Sequence, residues 1–183
     1  MQPFLQEEQA VKTLVDHLAQ YGAYHRDPRN IVTHFIGIPM IVLAVGILLS
    51  RTTLFALAGW SVTPLWLLIA ASAVFYLRLD LRFGLAMALV LAFTMALGQW
   101  FAAQTTSIWL GWGVGLFLVG WVIQFVGHYY EGKKPAFVDD LTGLIVGPLF
   151  LVAEAAFMLG LRRDVQAPVE ARIGPLRSRT AVA

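Results

Sequence analysis

Tyr24-His25-Arg26-Asp27-Pro28-Arg29-Asn30-Ile31-Val32-Thr33-His34-Phe35-Ile36-Gly37-Ile38-Pro39 is the stretch where polar sequence turns into membrane sequence. It carries two of the four histidines, and His34 already lies inside the first apolar run. Asp27-Pro28 marks a turn, because the Pro28 ring keeps Asp27 out of helix. Asn30 is then a candidate N-cap for a first span over 31–50, close to the ~20 residues that cross a bilayer. Pro39 offers no N–H to the Phe35 carbonyl, which predicts a kink one turn beyond His34. The counterpart is Gln124-Phe125-Val126-Gly127-His128-Tyr129-Tyr130-Glu131, where a later apolar run ends. On a helix, Gln124, His128 and Glu131 stand at i, i+4 and i+7 and share a face.

Working outward, charge is the scarce commodity. Charged residues make up 13% of the 183 and hydrophobic residues 58%, whereas soluble domains carry about 25% charged residues. From Phe83 to Gly127 there is no Asp, Glu, Lys or Arg, an exclusion that hydrocarbon explains and water does not. The pattern predicts an all-α, polytopic membrane helix bundle, with a single membrane domain over 1–161. Four full spans are expected near 31–50, 63–79, 84–103 and 108–127, with Gln104-Thr105-Thr106-Ser107 as the last turn between them. Residues 1–30 form the cytoplasmic approach, with an amphipathic helix whose apolar side holds Val11, Leu14, Val15 and Leu18. His17 reads as a solvated histidine on its polar side. Arg51 to Thr63 reads as an interfacial loop carrying Trp60. Gly111 and Gly115 offer a small-xxx-small packing face. The last apolar segment, 141–161, is expected to be broken or re-entrant at Gly147-Pro148, and 162–183 to be a basic flexible tail.

Four spans place every Lys and Arg except Arg51 on one side. The positive-inside bias then predicts an integral membrane protein with both termini cytoplasmic. The basic excess suits anionic lipid headgroups in the bilayer, and nucleic acid is not an expected partner. Cysteine is absent, which excludes disulfides, Fe–S clusters and thiolate metal sites.

The same topology gathers His25, His34 and His128 at one membrane face. Ionisable groups inside a membrane mark function by default. Imidazoles with a carboxylate, here Glu131, suit a non-haem Fe(II) site with open positions, and Zn(II) accepts the same groups. A haem b carrier with His34 and His128 as axial ligands is a second reading. A small transporter built on the Gly-Pro segment and Glu154 is a third. Di-iron membrane oxygenases need more histidines than the four present. Asp139 and Asp140 are candidate caps for the last helix, and Lys133 and Lys134 face headgroups or receive an anionic substrate group.

Tyr24-His25, Asn30, His34 with Gly37 and Pro39, Gly127-His128 with Glu131, Pro135-Ala136, Asp140-Leu141 and Gly147-Pro148 together resemble the membrane family of iron-dependent 2-hydroxy-fatty-acid dioxygenases of phytosphingosine degradation. The resemblance covers roughly residues 15 to 161. It implies Fe(II) as cofactor, held by His25, His34 and His128, and a reaction with molecular oxygen that shortens a 2-hydroxy fatty acid by one carbon. Glu131 joins the catalytic candidates. Tyr24, Asn30, Lys133 and Lys134 are the expected substrate contacts, and His17 stands outside the motif.

Overall fold

A computed structural model describes residues 12–176. The first part of the expected amphipathic helix, residues 4–11, and the tail residues 177–183 lie outside the described part. The chain forms α1 (Leu14–Gly22), α2 (Pro28–Leu49), a small antiparallel hairpin β1 (Phe55–Leu57) and β2 (Trp60–Val62), α3 (Pro64–Leu79), α4 (Leu81–Ala102), α5 (Thr106–Glu131), α6 (Gly143–Met158) and α7 (Arg163–Ile173). The fold is all-α apart from that hairpin, which occupies the expected interfacial loop and leaves Trp60 exposed. Helices α2, α4 and α5 are each long and apolar enough to cross a membrane, while α3 is apolar but only 16 residues long.

Hydrogen bonds at the helix ends fix the directions. Ser50, just past α2, donates to the Gly98 carbonyl near the end of α4 (2.7 Å), and Trp109 at the start of α5 donates from Nε1 to the Ile47 carbonyl (2.7 Å). Helices α2 and α4 therefore run the same way and α5 runs against them. The histidine-bearing ends of α2 and α5 meet at the opposite end of the bundle, termed inner, with the Ser50–Trp109 end termed outer.

The α2–α5 seam is the tightest in the molecule. Its buried α5 face is Gly113, Gly120, Gln124, Gly127, His128 and Glu131, with glycines seven residues apart, the spacing that keeps one side turned to a partner helix. A Cβ on Gly37 would come within 2.9 Å of the Gly120 carbonyl oxygen. Gly111 and Gly115, by contrast, have nothing within 4 Å of where a Cβ would sit. The expected packing face is thus corrected to the heptad glycines.

Other expectations change for local reasons. Asp27, not Asn30, caps α2: its carboxylate accepts from the Arg29 N–H (2.8 Å), with Pro28 at the first helical position, where a missing N–H costs nothing. Helix α6 runs unbroken through Pro148, and the bend comes later, 109° between α6 and α7. Gly160 (φ 71°) and Arg162 (φ 53°) make that turn. Arg162 is held there by two hydrogen bonds to Asp80, at 2.8 and 2.9 Å. Near the other end of α6, the Tyr76 hydroxyl donates to the Ile145 carbonyl (2.7 Å). The start of α6 and the turn that follows it are thus both tied to residues around the α3–α4 turn. The expected flexible tail is instead helical over Arg163–Ile173, burying Val165 and Val169 and pairing Arg172 with Asp16 of α1. Asp140 accepts from the Thr142 N–H (2.9 Å) just ahead of α6, while Thr142 itself is the residue at the N-cap.

Candidate metal centre

The α1–α2 connection and the seam build the site between them. Helix α1 opens with a reciprocal cap, the Asp16 N–H donating to Thr13 Oγ1 (3.3 Å) and the Thr13 N–H to Asp16 Oδ2 (2.7 Å). It ends at Gly22, and the turn that follows brings the His25 ring flat against Tyr21, centroids 4.1 Å apart. His34 stands nearly two turns into α2, and His128 projects from α5 opposite. His25, His34 and His128 are 0%, 1% and 7% exposed. One nitrogen from each lies within 4.8 Å of the others, the only such group among the described residues.

The tautomers follow from the neighbours. His25 Nδ1–H donates to the Tyr21 carbonyl (2.7 Å), and His34 Nδ1–H donates to the Asn30 carbonyl (2.8 Å). Each ring then has a bare Nε2, and the two Nε2 atoms face each other at 3.0 Å. A proton on either Nε2 would require a charged imidazole or a lone pair set against a carbonyl oxygen. Burial, and after it the neighbouring His34, hold the His25 pKa well below its ordinary value, so His25 is neutral at physiological pH. His128 adds a buried Nδ1 with no hydrogen-bond partner. Imidazoles with unmet lone pairs are what a divalent cation requires, and carbonyl acceptors on the far nitrogens, present here on His25 and His34, are the usual way such ligands are aimed. The rings meet edge to face with centroids 4.5 to 5.0 Å apart, which leaves no slot for a porphyrin between His34 and His128. The site thus disfavours the haem reading.

Glu131 shares the seam but is not part of that group of three. Its Oε2 accepts from the backbone N–H groups of Arg26 (2.9 Å) and Asp27 (2.7 Å) and from Asn30 Nδ2 (3.2 Å). It staples the loop carrying His25 to the end of α5. Asn30, wholly buried, links that staple to the Tyr24 carbonyl (3.3 Å). Gly127 lets the two helices close over it: a Cβ there would fall 2.1 Å from Thr33 Oγ1 and 2.5 Å from Asn30 Oδ1.

The other expected substrate contacts are engaged outside the site. Tyr24 donates its hydroxyl to Asp139 (2.7 Å), Lys134 pairs with Asp139 (2.5 Å), and Lys133 donates to the Ala23 carbonyl (2.8 Å). Together they tie the segment after α5 to the loop before α2. His17 is not solvated: it is buried edge-on against Phe75, and burial lowers its pKa. Glu154 is buried, with the Arg26 charge nearby.

Beside the histidines opens a cavity of about 70 Å³, lined among others by His34, His128, Gln124, Trp121, Ile38 and Pro148. Gln124 is 4% exposed and its Nε2 has no partner. Its i, i+4 spacing to His128 pointed to it, yet sequence alone assigned it no role in the site.

A family model described as 2-hydroxy-palmitic acid dioxygenase Mpo1-like matches residues 11–159. The chain belongs to the Mpo1-like family. Among curated relatives of this family, the 2-hydroxy-palmitic acid dioxygenase MPO1 of Saccharomyces cerevisiae is 31% identical over 160 residues, covering 86% of this chain and 87% of the yeast protein. No solved structure matches the chain. All three clustered histidines, and the α2–α5 seam that positions them, lie within the Mpo1-like match. The relationship supports a dioxygenase acting on a 2-hydroxy fatty acid.

Proposed function

We propose that the protein is a membrane Fe(II)-dependent dioxygenase that cleaves the C1–C2 bond of a 2-hydroxy fatty acid, giving the acid one carbon shorter. One observation carries the reading: three buried imidazoles, two of them with their tautomers fixed, converge beside an apolar cavity in a chain related to a dioxygenase named for 2-hydroxy-palmitic acid. His25, His34 and His128 would hold the metal, and Fe(II) supplies the redox chemistry with oxygen that a Zn(II) ion cannot. The reaction balances with dioxygen alone. C2 rises from the alcohol to the carboxyl level, C1 leaves as carbon dioxide, and the four electrons released reduce one O₂, with water taking the remaining oxygen.

The chain's own residues bind and orient. Gln124 Nε2 donates to the carboxylate or hydroxyl of the substrate, which gives a buried donor its missing acceptor. Trp121, Ile38 and Pro148 exclude water from the reacting end. Glu131 and Asn30 act through the His25 loop and are positioning residues. Tyr24, Lys133 and Lys134 secure the rim of the site. Both described ends of the chain, α1 and α7, pack at the inner face, in keeping with cytoplasmic termini.

The test is oxygen uptake by the purified, anaerobically iron-loaded protein with 2-hydroxypalmitate. Uptake should be matched by a fatty acid one carbon shorter and absent with palmitate. Alanine at His25, His34 or His128 should abolish turnover and retained iron, while alanine at His17 should spare both. Stoichiometric iron in all three histidine variants would sink the ligand assignment, and chain shortening without oxygen would sink the reaction.

A further inference from the structure

The histidine cavity does not end at the histidines. A second, larger cavity of about 320 Å³ lies beside it, between α2, α4, α5 and α6. Ile38, Val42 and Pro148 line both, so the two adjoin across those three side chains. The first cavity has polar donors at one end, His34, His128 and Gln124. In the second, Thr94 is the sole polar side chain among the lining residues, and its hydroxyl is already bonded to the Val90 carbonyl (2.9 Å). From His34 to Val42 the lining descends eight residues of helix, ~12 Å at 1.5 Å per residue. Pro39 and Pro148, the prolines inside α2 and α6, both border this groove.

We propose that this groove holds the acyl tail of the substrate and sets the chain length the enzyme accepts. The proposal rests on the 2-hydroxy-acid reading above. The chemistry of the path is graded to match such a molecule. Hydrogen-bonding groups gather where a carboxylate and hydroxyl must sit, and a lining apolar but for the self-satisfied Thr94 follows where methylenes must sit, each worth burying. The prolines fit the same role, since neither places a backbone N–H in the groove wall. A bilayer lipid is the competing occupant, but its headgroup would have to stay at the membrane surface, away from the buried polar end.

Two measurements on full-length protein in membranes test this. The chain has no cysteine, so single cysteines can be placed at will. Val42→Cys lies where the two cavities join, Leu116→Cys lies in the groove alone, and Val122→Cys sits exposed on α5 and lines neither. 2-Hydroxypalmitate should slow maleimide labelling of the first two and leave the third unchanged. 2-Hydroxyoctanoate should protect Val42→Cys and spare Leu116→Cys. In the second measurement, Val42→Phe should lower kcat/KM for 2-hydroxypalmitate about tenfold more than for 2-hydroxyoctanoate, as a few excluded methylenes predict. Turnover of the short acid also shows that the variant is folded. Protection without oxygen-dependent turnover would overturn the dioxygenase reading and keep the groove. Turnover in the parent protein with no protection at either groove position, or with loss equal at both chain lengths, would overturn the groove and keep the enzyme.

Discussion

The two ends of the α2–α5 seam are built from the same helices by the same close packing, yet only one is chemically unfinished. At the outer end Trp109 and Ser50 cover the Ile47 and Gly98 carbonyls, each at 2.7 Å. Nothing there asks for a ligand. At the inner end Asn30, His34, Gln124, His128 and Glu131 are all buried, and two of their nitrogens, Gln124 Nε2 and His128 Nδ1, have no hydrogen-bond partner. Buried polar atoms are nearly always satisfied, so the exceptions point to what is missing. Glycine packing alone therefore does not make a site, because both ends have it. The difference is a cluster of donors and lone pairs that the helices hold in place without satisfying.

The comparison breaks most sharply at Glu131. Its Oε2 accepts three hydrogen bonds, two of them from the loop next to His25. Hydrogen bonds to a charged group are worth about 1.5–3 kcal/mol each, with partial compensation once one partner is gone. Glu131→Ala should thus cost about 3–5 kcal/mol, read as a large fall in the thermal midpoint in detergent. Trp109→Phe, which removes one neutral bond at the outer end, should cost about 1 kcal/mol. If Glu131 is a positioning residue, excess metal should restore binding to Glu131→Gln but not to His34→Ala. A Glu131→Gln protein that never regains metal would instead make the carboxylate a ligand.

The second contrast is between two glycines of one helix face. A Cβ at Gly127 meets Thr33 Oγ1 and Asn30 Oδ1, and Thr33 is itself pinned to the Asn30 carbonyl at 2.7 Å. A Cβ at Gly113 meets mainly the far end of Leu48, a flexible side chain that can turn aside. Gly127→Ala should cost about 1–3 kcal/mol as overpacking and most of the turnover, because His34 and His128 move apart. Gly113→Ala should leave activity near that of the parent. Equal turnover in the two variants would show that the inner end has slack, and the close fit around the histidines would lose its meaning.

Much of the inner end is legible in the sequence. His25, His34 and His128 stand at membrane borders, and Gln124, His128 and Glu131 share a helix face by spacing alone. What spacing cannot say is which way a carboxylate turns once it is there. Glu131 is on the right face, yet it accepts from the backbone N–H groups of Arg26 and Asp27, which the chain turns toward it by bending before α2. Asp27 and Asn30 are both good caps on paper, and Pro28 decides between them by requiring the first helical position. Freed from capping, Asn30 turns inward. His17 looked solvated because the packing that sets Phe75 of α3 against α1 was not anticipated; α7 was missed as well, although Val165 and Val169 at i, i+4 were there to be read. Gly147-Pro148 misled because proline in an apolar helix is tolerated when neighbours surround the freed carbonyl, whereas two residues at positive φ, Gly160 and Arg162, are not compatible with helix at all.

The smallest expected effect separates the ends by charge. From Ser50 to Leu79 and from Phe83 to Gly127 there is no carboxylate, so the outer end has nothing to titrate with acid. The inner face has Asp16, held well below the ordinary carboxylate range chiefly by Arg172, and Asp80, lowered chiefly by Arg162. A lowered carboxylate pKa stabilises above its unfolded value, near pH 4, and that contribution is lost as pH falls through the folded value. Between about pH 5 and 8 the docking of α7 should therefore be flat. Below about pH 4 it should loosen, as the two ion pairs to Arg172 and Arg162 protonate away. Hydrogen exchange followed by mass spectrometry would show faster exchange in α7 and the preceding turn at acid pH, with α2 and α5 around Ile47 and Trp109 unchanged. Arg162→Ala should give part of the same loosening already at neutral pH. Exchange that quickens first at the outer end would reverse the comparison, because it would mean that the end without carboxylates is the one that acid undoes.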